Sequence, residues 1–187
     1  MHDIVIIGAG PAGASAALFA AKAGKKTLVI DDDRSITKRA RVRNHYGVLD
    51  ITGPDLVELG KQQAVAQGAE VMRGTVTNVT RTEHGLRVET ANGAYDARHV
   101  ILATGLIVDV AEKLGVATKP GTEPRIKLVL QVDPAGRTNV PGVWAAGTVA
   151  GVSVHTIVTA GDGAKVAINI ISELNGTRWV DHEVLKP

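Results

Sequence analysis

Ile4-Val5-Ile6-Ile7 is an unbroken apolar run, the pattern of a strand buried on both faces. Gly8-Ala9-Gly10-Pro11-Ala12-Gly13 follows at once. Ala14–Ala23 is alanine-rich and helix-prone, with Gly24 as its stop. A second apolar run, Thr27–Ile30, ends in Asp31-Asp32-Asp33 and completes a βαβ unit of about thirty residues.

Arg34–Gly53 shows no periodicity and reads as a long basic loop, a feature that in compact domains is usually functional. Pro54 suits the first turn of a helix running to about Gln67 and closed by Gly68. Leu56, Leu59 and Val65 are its expected apolar face. Short strands are predicted near Ala69–Met72, Thr75–Thr80, Leu86–Thr90 and Tyr95–Ala103, with hairpin connections at Glu83-His84-Gly85 and Asn92-Gly93. A short helix within Asp109–Lys119, a Pro/Gly connector at Pro120–Arg125 and a strand over Ile126–Val132 follow. After a turn at Asp133–Arg137 come a buried strand, Val143–Ala146, and a long helix, Ser153–Leu174, stopped by Gly176. The polar tail is expected to dock on the body or on a second subunit. The element order predicts an α/β fold, a parallel sheet with helices plus a small antiparallel β insertion.

Composition narrows the function. A length of 187 residues is that of one domain. Glycine, at 21 residues, exceeds the average usage of about 7%, so the backbone must turn tightly in many places. Aromatics are only 3%, which argues against a stacking platform for single-stranded nucleic acid. Lys plus Arg is 21 and Asp plus Glu 19, a net charge of +2 and no general nucleic-acid footprint. One run differs: Arg34, Lys38, Arg39, Arg41 and Arg43 follow one another with no acid between them. There is no cysteine, which removes disulfides, thiolate metal sites and thiol redox relays from this chain. The histidines His2, His45, His84, His99 and His182 show no metal-ligand spacing. Neither a signal-peptide pattern nor an apolar stretch of membrane-spanning length is present, so a cytoplasmic protein without membrane association is expected.

The GxGxxG segment has the context its chemistry needs: a strand before it, a helix after it and an acid at the end of the next strand. Gly8 permits the tight turn, Gly10 lets the backbone approach a pyrophosphate, and Gly13 allows the helix to pack closely on the strand. The helix N-terminus offers free N–H groups and a positive dipole end to an anion. Asp31 is placed for its carboxylate to accept ribose hydroxyls. The motif leaves open whether FAD or a nicotinamide nucleotide is held.

Two further segments bear on that choice: Val100-Ile101-Leu102-Ala103-Thr104-Gly105 and Pro141-Gly142-Val143-Trp144-Ala145-Ala146-Gly147-Thr148. Together with the opening fingerprint they resemble the flavin-binding half of the thioredoxin reductase family over nearly the whole chain. The resemblance implies a single Rossmann-like FAD-binding domain over 1–187. Its flavin-domain halves are 1–107 and 123–187, and a short connector, 106–125, replaces the nicotinamide domain. It implies that Gly8, Gly10, Pro11, Ala12 and Gly13 hold the FAD pyrophosphate, and that Asp31, with Asp32 beside it, holds the adenosine ribose. Thr75-Val76 falls near the adenine, Asn44 near the flavin, and Ala103, Thr104 and Gly105 beside the cofactor. Gly147-Thr148 matches a Gly-Asp pair near the pyrophosphate and ribityl chain. Val154-His155-Thr156 matches the triplet opening the last helix, where the Thr156 N–H faces the pyrimidine edge of the flavin. A helix N-terminus there stabilises the negative charge of reduced flavin.

The chain departs from that family at several points. The redox cysteine pair and a second GxGxxG are missing, Thr148 stands in place of the usual Asp, and His155 in place of the more frequent Gln. His155 is a candidate proton-transfer group, weighed against a structural role. Gly161-Asp162-Gly163 marks either close backbone approach or a glycine pair packed on a neighbouring strand. The basic loop 34–43 is either a solvated face or a receiver of NAD(P)H phosphates or of an acidic electron-transfer protein through Arg39, Arg41 and Arg43. The expected function is an FAD-dependent oxidoreductase, not a thioredoxin reductase by itself, taking hydride or electrons from NAD(P)H or a protein donor. The alternative is a non-catalytic FAD module or a subunit of a larger redox complex. A nicotinamide-dependent dehydrogenase ranks last, because neither Tyr46 nor Tyr95 is followed by Lys four residues on. A homodimer is expected, with Trp144, Trp179 and the tail as interface candidates.

Overall fold

The computed structural model describes residues 1–185; positions 186–187, the end of the expected second flavin-domain half, lie outside the described residues. The chain runs β1 (His2–Ile7), α1 (Pro11–Lys22), β2 (Thr27–Asp31), a 3-10 turn (Ile36–Arg39), β3 (Arg41–Val42), β4 (Ile51–Thr52) and α2 (Gly53–Ala66). It continues through β5 (Glu70–Arg73), β6 (Val76–Thr82), β7 (Gly85–Thr90), β8 (Gly93–Leu102), α3 (Asp109–Lys113), β9 (Thr118–Pro120) and β10 (Leu128–Leu130). β11 (Val143–Ala145), a second 3-10 turn (Gly147–Ala150) and α4 (Thr156–Asn175) complete it.

β5, β2, β1, β8 and β11 pair in that order, all in parallel. β8 is long enough to serve two partners on one edge. Its first half pairs antiparallel with β7, which pairs with β6, and its last three residues pair with β11. The predicted antiparallel insertion is therefore a β6–β7–β8 meander growing out of the parallel sheet.

Both faces of the sheet are covered, which is why its strands are apolar throughout. Ile4 and Ile6 of β1, with Val29, Ile101 and Trp144, pack under α1, α2 and α4. Val5 and Ile7, with Leu28, Ile30, Val100 and Leu102, pack under the meander, α3 and β10. α1 is sandwiched between α2 and α4, and its alanines let both neighbours come close. At Gly163 of α4 an added Cβ would lie 2.0 Å from the carbonyl oxygen of Ala12, so the two backbones touch. Gly163 thus marks the close backbone approach that was one of the two readings, made to helix α1 and not to a strand, while Gly161 meets nothing.

The structure corrects three expectations. The segment 34–53 is not a structureless loop: it holds a 3-10 turn and the β3–β4 ladder. The buried residues of α2 are Gly53, Val57 and Ala64, whereas Leu59 and Val65 are 41% and 53% exposed. Small residues win because α2 lies close to α1, with Gly60 facing Ala14. Trp144 is core rather than interface, its indole N–H donating to His99 Nδ1 at 3.1 Å. The tail folds onto its own chain: Trp179 meets Phe19 edge-on, and Lys22 pairs with Asp181 and Glu183. Among the described residues no helix is long and apolar enough to cross a membrane.

Candidate functional site

Parallel pairing brings the carboxyl ends of β1, β2, β8 and β11 to one rim. The strand order reverses at β1, which has β2 on one side and β8 on the other, and that is where open α/β sheets form ligand crevices. A cleft of about 320 Å³ opens there. Gly8 leaves β1 at φ +99°, and a Cβ on it would lie 2.5 Å from the Ala103 carbonyl oxygen. A Cβ on Gly13 would lie 1.9 Å from the Gly8 carbonyl oxygen. The turn therefore tolerates no side chain at either position, and α1 starts flush against the strand.

Pro11 is the first residue of α1, Gly10 caps it without a side chain, and no acid lies in the first turn. The positive end of the helix is left open to the cleft, as an anion site requires. At the end of β2, Asp31 is buried. Its Oδ1 accepts the Ala9 N–H at 3.2 Å, and its Oδ2 pairs with Lys61 Nζ at 2.7 Å. Open glycine backbone, an uncapped helix end and a buried carboxylate are the donor set that a dinucleotide's pyrophosphate and ribose need, so the residues present fit FAD.

Most of the residues singled out from sequence line this one cleft: Gly8, Gly10, Pro11, Ala12, Asp31, Asp32, Val76, Ala103, Thr104, Gly105 and Thr148. Gly13 lies behind it as a packing residue. The Gly147 N–H is taken by the buried carboxylate of Asp162 at 2.8 Å, so Gly147 anchors the turn while Thr148 faces the cleft. α4 starts at Thr156 with His155 as N-cap, three residues after the start expected from the sequence pattern and at the third residue of the family triplet. His155 is exposed, and its Nδ1 lies 2.7 Å from Ser153 Oγ. Val154 and Thr159, rather than His155 and Thr156, reach the cleft wall. Asn44 is exposed on the neighbouring loop. Beside it, His45 Nδ1 sits 3.0 Å from Thr156 Oγ1, and burial lowers the His45 pKa. Tyr46 and Leu49 of the same loop are 92% and 97% exposed.

The basic run is largely neutralised, a point invisible in the local sequence. Asp32 takes Arg34, Asp33 takes Lys38, and Asp50 receives Arg41 through two bonds at 2.9 and 2.8 Å and Arg43 at 3.4 Å. The Arg41 guanidinium holds the Asp50 carboxyl below its ordinary range. Arg39 forms no ion pair among the described residues, and it lines the cleft. Sequence reasoning missed Lys61 and the tie from Asp162 to Gly147. The glycines flanking Asp162 were the signal for the latter; nothing local marked Lys61. No cluster of metal-ligating side chains occurs among the described residues.

The family model of pyridine nucleotide-disulphide oxidoreductases matches residues 2–106 and, in an overlapping match, 48–164. The thioredoxin reductase of Treponema pallidum (strain Nichols) is 38% identical over 108 residues, 56% of this chain and 35% of that protein. The thioredoxin reductase of Aquifex aeolicus (strain VF5) is 34% identical over 110 residues, 56% of this chain and 34% of that protein. The chain thus spans about a third of the length of these curated relatives. Among solved structures, a thioredoxin reductase from Gloeobacter violaceus aligns with TM-score 0.84 at 18% identity, covering 98% of this chain and 99% of that one. At that identity the likeness carries the fold alone. The chain belongs to the pyridine nucleotide-disulphide oxidoreductase family and has a thioredoxin reductase-like, Rossmann-type FAD-binding fold.

Proposed function

We propose that this chain binds FAD in the cleft and acts as a flavin-dependent oxidoreductase unit, without being a thioredoxin reductase by itself. The observation that carries this reading is the meeting of the Gly8–Gly13 turn, the uncapped start of α1 and buried Asp31 at one rim. When bound, FAD supplies hydride and electron transfer, and the protein supplies orientation and electrostatics. The α1 N-terminus holds the pyrophosphate, Asp31 the adenosine ribose, and Gly74-Thr75-Val76 the adenine end. Ala103-Thr104-Gly105 and Thr148 form the floor toward the ribityl chain. The N-terminus of α4, a helix of 20 residues, turns its positive end to the pyrimidine edge. Arg39 is the cation available to an incoming NAD(P)H phosphate or an acidic protein donor, and a second copy of the chain is the proposed partner in a homodimer.

The absorption spectrum of the purified protein, followed by anaerobic mixing with NADH, NADPH and reduced ferredoxin, tests the reading. A flavin spectrum that bleaches with one donor is the expected result. A colourless protein that takes up no FAD on titration overturns it. A bound flavin that no donor bleaches supports instead a non-catalytic module or subunit. That alternative draws on the short connector 106–125, which holds only α3 and β9.

A further inference from the structure

Asp31, proposed above to hold the ribose, has only 6% of its side chain exposed. A buried carboxylate needs a counter-charge and hydrogen-bond donors to offset its desolvation. Lys61 supplies the counter-charge from α2, thirty positions away in sequence. Its Nζ lies 2.7 Å from Asp31 Oδ2 and 3.4 Å from Asp33 Oδ1. Burial pulls the Lys61 pKa down, but the bonds to Asp31 and Asp33 outweigh it and the net shift is upward. Asp33 holds a left-handed backbone at φ +65°, an unfavourable state for a non-glycine residue, where its carboxylate meets both Lys61 and Lys38. The lysine is thus braced from two sides.

We propose that Lys61 is a positioning residue for the adenosine ribose of FAD, holding the Asp31 carboxylate in one orientation through their ion pair. The inference rests on the flavin reading. Asp31 spends one lone pair of Oδ1 on the Ala9 N–H and one of Oδ2 on Lys61. Each oxygen retains another for a ribose hydroxyl, since an ionised carboxylate accepts about four hydrogen bonds. The other charges around Asp31 are Asp32 with Arg34, Asp33 with Lys38, and its cross-strand neighbour Arg73 on β5. Lys61 is the one that contacts its carboxylate.

The test titrates apoprotein with FAD, ADP and FMN, for wild type, Lys61→Met and Lys61→Arg. Lys61→Met is expected to weaken FAD and ADP about tenfold, the scale of one charge-assisted hydrogen bond. FMN has no adenosine and should bind all three proteins equally, and Lys61→Arg should restore FAD binding. Lys61→Met with wild-type FAD affinity overturns the inference alone. So does an equal loss of FAD and FMN, which would make Lys61 a folding residue. Wild type that binds neither FAD nor ADP overturns the flavin reading and this inference with it.

Discussion

The carboxylate of Asp162, in the second turn of α4, accepts the N–H of Gly147 at 2.8 Å and so fixes the last helix to the turn that follows β11. Both groups are buried, and Asp162 also receives Lys165 at 2.6 Å. Asp162→Ala leaves a buried N–H without an acceptor, a loss of about 1–3 kcal/mol. Asp162→Asn keeps an acceptor and should recover part of it. Urea unfolding of the apoprotein measures both; an unchanged midpoint for the alanine variant would contradict the role.

His99 and Trp144 make stability depend on pH. His99 must be unprotonated at Nδ1 to accept the indole N–H. Burial lowers its pKa first of all, with Arg98 and Arg137 adding to the effect and Glu173 and Asp3 opposing it. The unfolded chain therefore takes up the proton more readily than the folded one. This contribution is fully present above about pH 6.5, the ordinary histidine value, and is lost as the pH falls below it toward the folded-state value. A melting series from pH 8 to 5 should show the decline, and His99→Gln should flatten it.

Two glycines of α4 that look alike in sequence should respond oppositely. Gly163→Ala drives a methyl group into the Ala12 carbonyl and should destabilise by about 1–3 kcal/mol or more. Gly161→Ala meets nothing and replaces the poorer helix former, so it should stabilise by about 0.4–1 kcal/mol. Thermal melts of the two variants decide it.

At Gly10 the prediction concerns the ligand rather than the fold. A Cβ there approaches only the Ser35 hydroxyl, at 3.0 Å, and a serine side chain can move away. Gly10→Val should leave the apoprotein folded, as circular dichroism would show. It should also abolish FAD retention, because the side chain fills space the pyrophosphate needs. A purified variant with normal flavin content would refute the assignment.

The cations of the basic run should separate in the same way. Arg39→Ala should weaken the salt-sensitive interaction with an electron donor, whereas Arg41→Ala should leave it almost unchanged, since Asp50 already occupies Arg41. Flavin reduction rates as a function of donor concentration and ionic strength measure the difference. Equal effects would return the whole loop to the role of a general cationic surface.

What the sequence disclosed follows from how local each signal is. β1, the glycine turn, α1 and β2 could be read because apolar runs, glycine spacing and the terminal acid lie within one short segment. The sequence pattern puts the start of α4 at Ser153, whereas the matched triplet Val154-His155-Thr156 marks its actual start at Thr156. The inward face of α2 was not legible, because α2 meets its neighbours along Val57, Gly60 and Ala64, with Gly60 against Ala14 of α1, and this leaves Leu59 and Val65 outside. Neutralisation of the basic run depends on a hairpin that returns Asp50 to Arg41, and the ion pair of Lys61 on α2 with Asp31 depends on tertiary packing. Spacing along the chain encodes neither.

β8 is stitched into two ladders at once: its front half to β7, its rear to β1 and β11. Removing a single residue midway would turn the rear half inside out relative to the front, because neighbouring side chains point to opposite faces. The meander and the nucleotide-facing rim could not then both stay in frame. The bends at 83–84 and 91–92 carry no such constraint, so changes in chain length should be absorbed at these tips, whereas the span between Gly93 and Ala103 must keep its length.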